Sequence, residues 1–327
     1  MPVKTYLASI HDGLEEAMAQ DPTIVLLGED IGPRGGVFGA TAGLFARFGP
    51  DRVIDTPLAE GAIVGVAIGM AMNGFRPVVE IQFVDFILPA VDQIVSEAAK
   101  IRYRSNNDFH CPIVIRAPYG GGVHGALYHS QSLEAMFAHV PGLKVVVPSD
   151  PHDAKGLLHT AIADEDPVLF FEHKAAYRRL KGEVPDGPYE VPIGQAEVKR
   201  PGRDVTVVAY GLVLQHALAA AEELAGRGID CEVIDLRSVL PLDVATVVAS
   251  VRKTGRLLIA HEDHRILGVG SEVAAAVAEE ALFDLDAPIR RLGAPFAPAM
   301  PYNPAQEQVF LLDAAHIARE VEALAQF

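Results

Sequence analysis

DTPLAEGAIVGVAIGMAMNGFRPVVEIQFVDFILPAVDQIVSEAAKIRYR, residues 55–104, carries the strongest structural signal in the chain. Between Gly61 and Met72 no side chain is charged or strongly polar, yet Gly61, Gly65 and Gly69 recur every fourth residue. A helix over this run therefore sets all three on one face. Each glycine costs a helix interior about 1 kcal/mol relative to alanine, so the run needs a compensating contact. The expectation is a bare face that another helix approaches closely, headed by one carboxylate, Glu60. The blander alternative is a buried core helix whose small residues serve ordinary packing. Downstream, RPVVEIQFVDF (residues 76–86) reads as a strand and Ile87 to Arg104 as a helix. Upstream, Tyr6 to Ala19 has apolar residues at helical spacing, and TIVLLGED reads as a buried strand ending in acids. A glycine-rich loop, a short amphipathic helix and a second strand then deliver Glu60. This alternation predicts a mostly parallel sheet covered on both faces, with polar residues at the strand ends where such sheets place their chemistry.

Beyond Arg104 the alternation continues. CPIVIRAPYGGGVHGALYHSQSLEAMFAHV (residues 111–140) gives a strand, a glycine-rich turn holding His124 and His129, and a helical run. Gly120, Gly122 and Gly125 satisfy G-x-G-x-x-G, but His124 intrudes and no acidic residue ends a following strand about 20 positions on, so a dinucleotide fingerprint is rejected. KVVVPSDPHDAKGLLHTAIADEDPVLFFEHK reads as strand, helix from about Asp150-Pro151, and strand. From Tyr177 to Arg203 the period is lost and Pro185, Pro188, Pro192 and Pro201 collect, which marks a linker. DVTVVAYG restarts the strand–helix alternation, which ends in a helix over Ala314–Ala325. The division is residues 1–185, a linker over 186–203, and a second α/β domain over 204–327.

Composition bounds the function. The chain has 327 residues, 50 % of them hydrophobic, enough for two domains with large cores. Lys+Arg 27 against Asp+Glu 43 gives a formal charge of −16, which opposes nucleic acid or an anionic membrane as partner. Its 2 cysteines, Cys111 and Cys231, form no CxxC, so neither a disulfide framework nor a structural zinc site is expected. The N-terminal residues show no basic segment followed by an apolar one, and the expectation is a mature, cytoplasmic chain. The uncharged run Gly61–Gly74 falls short of the roughly 20 residues a bilayer crossing needs.

Taken alone, the chemistry-bearing residues stay ambiguous. Glu60 at a helix start also serves a residue that complements the helix dipole, Phe86 also serves the core, and Glu29-Asp30 also serves as a solvated strand end. His124 and His129, five apart, lack the H-E-x-x-H geometry of a zinc protease. No G-x-S-x-G and no phosphate-binding loop is present.

Joined together, TPLAEGAIVGVAIGMAMNGFRPVVEIQFVDFILPAVDQIVSEAAKIRYRS and GGVHGALYHSQSLEAMFAHVPGLKVVVPSDPHDAKGLL resemble the β subunit of the E1 component of 2-oxo acid dehydrogenase complexes. The HGALYHSQS and EIQFVDFILPAVDQ wording is most similar to the branched-chain (2-oxoisovalerate) type. Pyruvate and acetoin enzymes are the near alternatives, and a non-catalytic scaffold the distant one. The resemblance runs the whole length. It implies an N-terminal pyrimidine-binding thiamine diphosphate fold, a C-terminal transketolase-like domain, and oxidative decarboxylation followed by reductive acylation of the lipoyl group of E2.

Residue by residue, the resemblance implies that Glu60 hydrogen-bonds N1′ of the cofactor aminopyrimidine and favours the imino tautomer that activates the thiazolium carbon. A carboxylate in apolar surroundings has its charge disfavoured and shares a proton readily. Phe86 matches the aromatic residue stacked on the pyrimidine, Leu58 a backbone contact beside it, and Gln82 a residue of the same pocket. His129 matches a histidine that assists acyl transfer to the lipoyl arm, a task suited to imidazole. A potassium ion is implied on carbonyls matching Cys111, Ile113, Val114, Ala161, Asp164 and Asp166. The family's magnesium and diphosphate are held by an α subunit through a GDG segment, which this chain lacks. The resemblance thus implies half of a cofactor site, completed in an α2β2 heterotetramer that docks E2.

Overall fold

Side-chain caps fix several helix starts. Thr5 accepts a hydrogen bond from the Ala8 amide, Asp150 from Asp153, Asp243 from Thr246 and Asp313 from His316. Each satisfies an amide that the first turn leaves without a partner. The structure, a computed structural model, describes residues 1–327. By contact it forms two units, Met1–Tyr119 with Met136–Ile193, and Gly120–Ala135 with Gly194–Phe327.

In the first unit β1 (Val3–Thr5) precedes the helix Tyr6–Gln20, and β2 (Ile24–Gly28), β3 (Val53–Asp55), β4 (Arg76–Glu80), β5 (Val114–Tyr119), β6 (Lys144–Val146) and β7 (Val168–His173) follow. The latter six run parallel in the order β6-β7-β5-β4-β2-β3. β2, β5 and β7 are buried throughout, as expected for strands covered on both faces. β8 (Lys181–Glu183) pairs antiparallel with β1, an addition that its charged sequence did not announce.

The helix Glu60–Met72 buries Ile63, Val64, Ala67, Ile68 and Ala71. The partner its glycines accommodate lies within the chain. A Cβ at Gly61 would stand 3.0 Å from the Pro89 carbonyl oxygen and one at Gly65 3.3 Å from Gln93 Oε1, whereas at Gly69 it would meet nothing within 4 Å. The strand expected to reach Phe86 stops at Glu80, and the helix expected over Ile87–Arg104 is broken into a 3-10 helix Val84–Ala90, a π-helical turn Gln93–Glu97, a 3-10 turn Ala98–Lys100 and an α turn Ile101–Arg104. Pro89, inside the first of these, has no N–H to donate and its ring crowds the preceding turn.

Arg116 ties the sheet together. At 1 % exposure it donates to Glu80 Oε2 (2.7 Å) and to both oxygens of Glu172 (2.6 and 2.8 Å), and the Tyr177 hydroxyl donates to Glu172 Oε2 (2.6 Å). Burial pushes the Glu80 carboxyl above its usual range despite the pull of Arg116. This network joins β4, β5 and β7 towards their carboxyl ends.

The second unit contains β9 (Glu197–Arg200), β10 (Val205–Ala209), β11 (Cys231–Asp235), β12 (Ser238–Leu240), β13 (Leu257–His264) and β14 (Arg290–Ala294). Its sheet has the order β14-β13-β10-β11-β9, parallel except for β9, which lies antiparallel on β11. The segment expected as linker therefore supplies an ordered edge strand. One face buries Val213, Leu214, Ala217, Ala221 and Leu224 of the helix Leu212–Ala225 against Ile317, Val321 and Leu324 of the last helix. The loop 120–135, which the sequence division keeps with the N-terminal domain, packs by contact with this unit.

Candidate functional site

The carboxyl ends of β2 and β3 gather acids. β2 runs into Glu29-Asp30 and β3 ends at Asp55, whose Oδ1 accepts a hydrogen bond from the Gly32 amide (3.3 Å). The Thr56 amide donates to the Gly28 carbonyl (2.9 Å), and Leu58, 68 % exposed, leads to Glu60 at the first helical position. No side chain caps this helix start, so the Glu60 carboxylate complements its free amides. Burial, then the charges of Asp30 and Glu60, raise the Glu29 carboxyl above its ordinary value, which places Glu29 and Glu60 within electrostatic reach. Arg34 pairs with Asp30 at 2.6 Å. Glu60 is half-buried, more open than its apolar sequence setting implied, because the helix begins at the sheet's carboxyl edge.

Gln82 and Phe86 belong to the same end of the sheet. Gln82 Nε2 donates to the Glu29 carbonyl at 3.3 Å, tying the chain after β4 to the end of β2. Phe86 packs edge-on to Phe83 at 5.7 Å, Phe83 to Phe38 at 5.4 Å, and Phe38 to Tyr177 at 5.1 Å, an aromatic row in favourable tilted geometry. Thr56 Oγ1 is buried without a protein partner, so it can serve a polar atom of a ligand. At this sheet edge the acids Glu29, Asp30, Asp55 and Glu60 stand against the neighbouring cation Arg34. Leu58, Glu60, Gln82 and Phe86, singled out in the sequence, thus all fall at the carboxyl edge of one sheet. Asp55 and Thr56 were missed; their place at the end of a strand that pairs with β2 was the available signal.

The residues matched to a cation site are also neighbours. The Cys111 amide donates to the Glu165 carbonyl (3.2 Å) and Val168 to Ile113 (2.9 Å), which sets Cys111, Ile113 and Val114 beside the turn 161–166. The carbonyls already accept bonds, Cys111 from Ile113 (2.8 Å), Ala161 from Asp164 (3.4 Å) and Asp164 from Arg76 Nη1 (3.0 Å). The carboxylate of Asp166 takes Arg102 Nη1 at 2.8 and 2.7 Å, and that of Asp164 pairs with Lys144.

His129 lies in the second unit. The loop leaves Tyr119 through Gly120 and Gly122, both with left-handed backbone, then passes through His124 (φ 57°) and Ala126 (φ 54°), a conformation L-residues seldom adopt. A 3-10 turn, Ala126–Tyr128, ends at His129, which is half-buried and followed by buried Ser130. A Cβ on Gly125 would stand 2.7 Å from His129 Cβ, so glycine is required there to seat the histidine. His124, by contrast, is 55 % exposed and pairs with Glu307.

Residues 4–179 match the family model "Transketolase, pyrimidine binding domain" and residues 194–317 "Transketolase, C-terminal domain". The chain is 58 % identical over 327 residues to the 2-oxoisovalerate dehydrogenase subunit beta of Bacillus subtilis, with 100 % of both chains covered. It is 46 % identical over 327 residues to the pyruvate dehydrogenase E1 component subunit beta of Staphylococcus epidermidis, again with 100 % of both covered. Among solved structures, a split-gene transketolase described as an inactive beta4 tetramer superimposes with TM-score 0.81 at 26 % identity over 98 % of each chain. Transketolase from Leishmania mexicana gives 0.70 at 17 % identity, covering 100 % of this chain and 46 % of its own, and shows the fold alone.

Proposed function

Because the chain belongs to the thiamine diphosphate-dependent E1 β subunits of 2-oxo acid dehydrogenase complexes, we propose that it acts with an α subunit to decarboxylate a branched-chain 2-oxo acid oxidatively and to acylate the lipoyl group of E2. The observation that carries this reading is Glu60, held at an uncapped helix start beside Glu29, at the sheet edge that also carries Gln82 and Phe86. Thiamine diphosphate, when bound, supplies the electron sink for loss of carbon dioxide. Toward it, Glu60 would hold a proton at the aminopyrimidine nitrogen, Phe86 would stack on the ring, and Leu58 and Gln82 would bound its edge. Phe86 has no hydroxyl, so its contribution is the stack alone. His129 gives a proton to the lipoyl sulfur as the acyl group is transferred.

The diphosphate and its magnesium fall to the α subunit, since no GDG segment occurs here; the partner assembly is α2β2. The inactive tetramer of the split transketolase accords with a chain that needs its other half. No helix is long and apolar enough to cross a membrane, which accords with a cytoplasmic complex. A carbonyl oxygen has two lone pairs, so one that already accepts a hydrogen bond can still face potassium; on this reading the carbonyls of Cys111, Ile113, Val114, Ala161, Asp164 and Asp166 hold the ion, and a higher melting temperature in potassium than in sodium chloride is the expected sign of it.

Identity of 58 % to a 2-oxoisovalerate enzyme against 46 % to a pyruvate enzyme favours the branched-chain substrate. Co-expression with the α partner and comparison of 3-methyl-2-oxobutanoate, pyruvate and acetoin tests this choice. The branched acid is expected to give the highest kcat/KM; a pyruvate or acetoin rate well above it would move the protein to the other enzymes of the family.

A further inference from the structure

The loop Gly120–Ala135 is held by carboxylates from distant parts of its own unit. Glu307, on the helix Pro304–Phe310 and 2 % exposed, accepts hydrogen bonds at Oε1 from the amides of Gly122 (2.9 Å) and His124 (3.3 Å), and pairs through Oε2 with His124 Nδ1. Glu262, at the end of β13, accepts from the Gly121 amide at 2.6 Å. The Ala135 amide bonds Asp263, so β13 also holds the far end of the loop. Gly121 packs so closely on Met300 and Leu311 that a Cβ would come within 2.9 and 3.2 Å of their side chains. Amide-to-carboxylate bonds of this kind are charge-assisted and about twice as strong as neutral ones.

These contacts bear on the part of the loop least able to hold itself. His124 and Ala126 both have left-handed backbone without being glycine, a conformation that persists only where the surroundings impose it. His129 follows directly, at the end of the 3-10 turn that Ala126 begins. We propose that Glu307 is a positioning residue for His129. By accepting the amides of Gly122 and His124 and the ring N–H of His124, it keeps the strained turn in the one conformation that presents the histidine for acyl transfer. This rests on the role given to His129 above. Glu307 itself touches no substrate on this account and acts only through the loop.

The test uses the enzyme assembled with its α subunit, measuring two half-reactions: decarboxylation with an artificial electron acceptor, and acylation of a free lipoyl domain. Glu307→Ala is expected to slow lipoyl acylation at least ten-fold more than decarboxylation, and Glu307→Gln, which keeps one acceptor, to restore part of that difference. Combined with His129→Ala, Glu307→Ala should add less than two-fold to the loss. Hydrogen exchange on the β chain alone gives a readout independent of activity: amides of residues 120–129 should exchange at least ten-fold faster in Glu307→Ala while the amides of β10 keep their protection. Should Glu307→Ala fail to assemble, His124→Ala removes the exposed end of the pair and is expected to lower the same half-reaction about three-fold. Equal loss of both half-reactions, or unchanged exchange in the loop, overturns the proposal. If His129→Ala itself leaves lipoyl acylation intact, the role of His129 fails instead, and the exchange result still decides whether Glu307 holds the loop.

Discussion

Glu60 and His261 show how differently two titratable residues are used in one chain. Glu60 is half-exposed at a helix start among other acids, where a carboxylate is available to a ligand. His261 is fully buried, its ring stacked on Tyr210 at 6.0 Å, and burial lowers its pKa from 6.5 to about 4. Its effect on stability has a definite sign. Between pH 6.5 and about 4 the unfolded chain protonates this imidazole and the folded chain resists, so stability falls as the pH drops through that window. The loss is on the order of 3 kcal/mol. The raised carboxyls of Glu134 and Asp263 act in the opposite sense and remain in a His261→Gln variant. Urea unfolding of the two proteins at pH 6.5 and 4.5 should therefore show a shallower loss for the variant; parallel losses would mean that His261 is protonated in the fold. Among the candidate residues, Glu60, Phe86 and His129 stand in polar or aromatic contrast to their surroundings in the sequence, whereas Leu58 and Gln82 are singled out only by the family resemblance. Thr56 and Glu307 were not legible there, because a threonine after a strand and a glutamate in a short helix are common, and only three-dimensional contact gives them meaning.

At the scale of elements, the apolar and acidic patterning announced the long helices and buried strands, and capping residues set their starts. It failed where one residue overrides period. Pro89 takes one amide donor out of the run Val84–Arg104, which stays helical but alternates between 3-10, α and π hydrogen bonding. The short strands β8 and β9 carry too many charges for alternation to show, and β1 is only 3 residues long. The glycines of Glu60–Met72 meet the expected close approach in part, since Gly61 and Gly65 receive Pro89 and Gln93 of the next helical segment. Alanine at Gly69, where nothing lies within 4 Å, is expected to raise the stability of the isolated chain by about 1 kcal/mol through helix propensity. Alanine at Gly61 should instead lower it by about 1 kcal/mol, because the Pro89 carbonyl must move. Equal effects at the two positions in denaturant titration would contradict this account of the glycine spacing.

For the molecule as a whole, two α/β units and their parallel sheets followed from strand–helix alternation, whereas the allegiance of the loop 120–135 did not. Sequence order places that loop between β5 and β6, but the acceptors for its amides lie at Glu262 and Glu307, more than a hundred residues away. A net charge of −16 opposes nucleic acid or an anionic membrane as a partner of the whole molecule. The central claim is that this chain contributes the acidic half of a thiamine diphosphate site through Glu60. It is tested most directly by assembling the enzyme with its α subunit and measuring decarboxylation of 3-methyl-2-oxobutanoate by the native protein and by Glu60→Gln. Glu60→Gln is expected to lose roughly two to four orders of magnitude in kcat with assembly intact, the range that catalytic proton-transfer groups supply; decarboxylation within a few-fold of native would show that Glu60 serves the helix rather than the reaction.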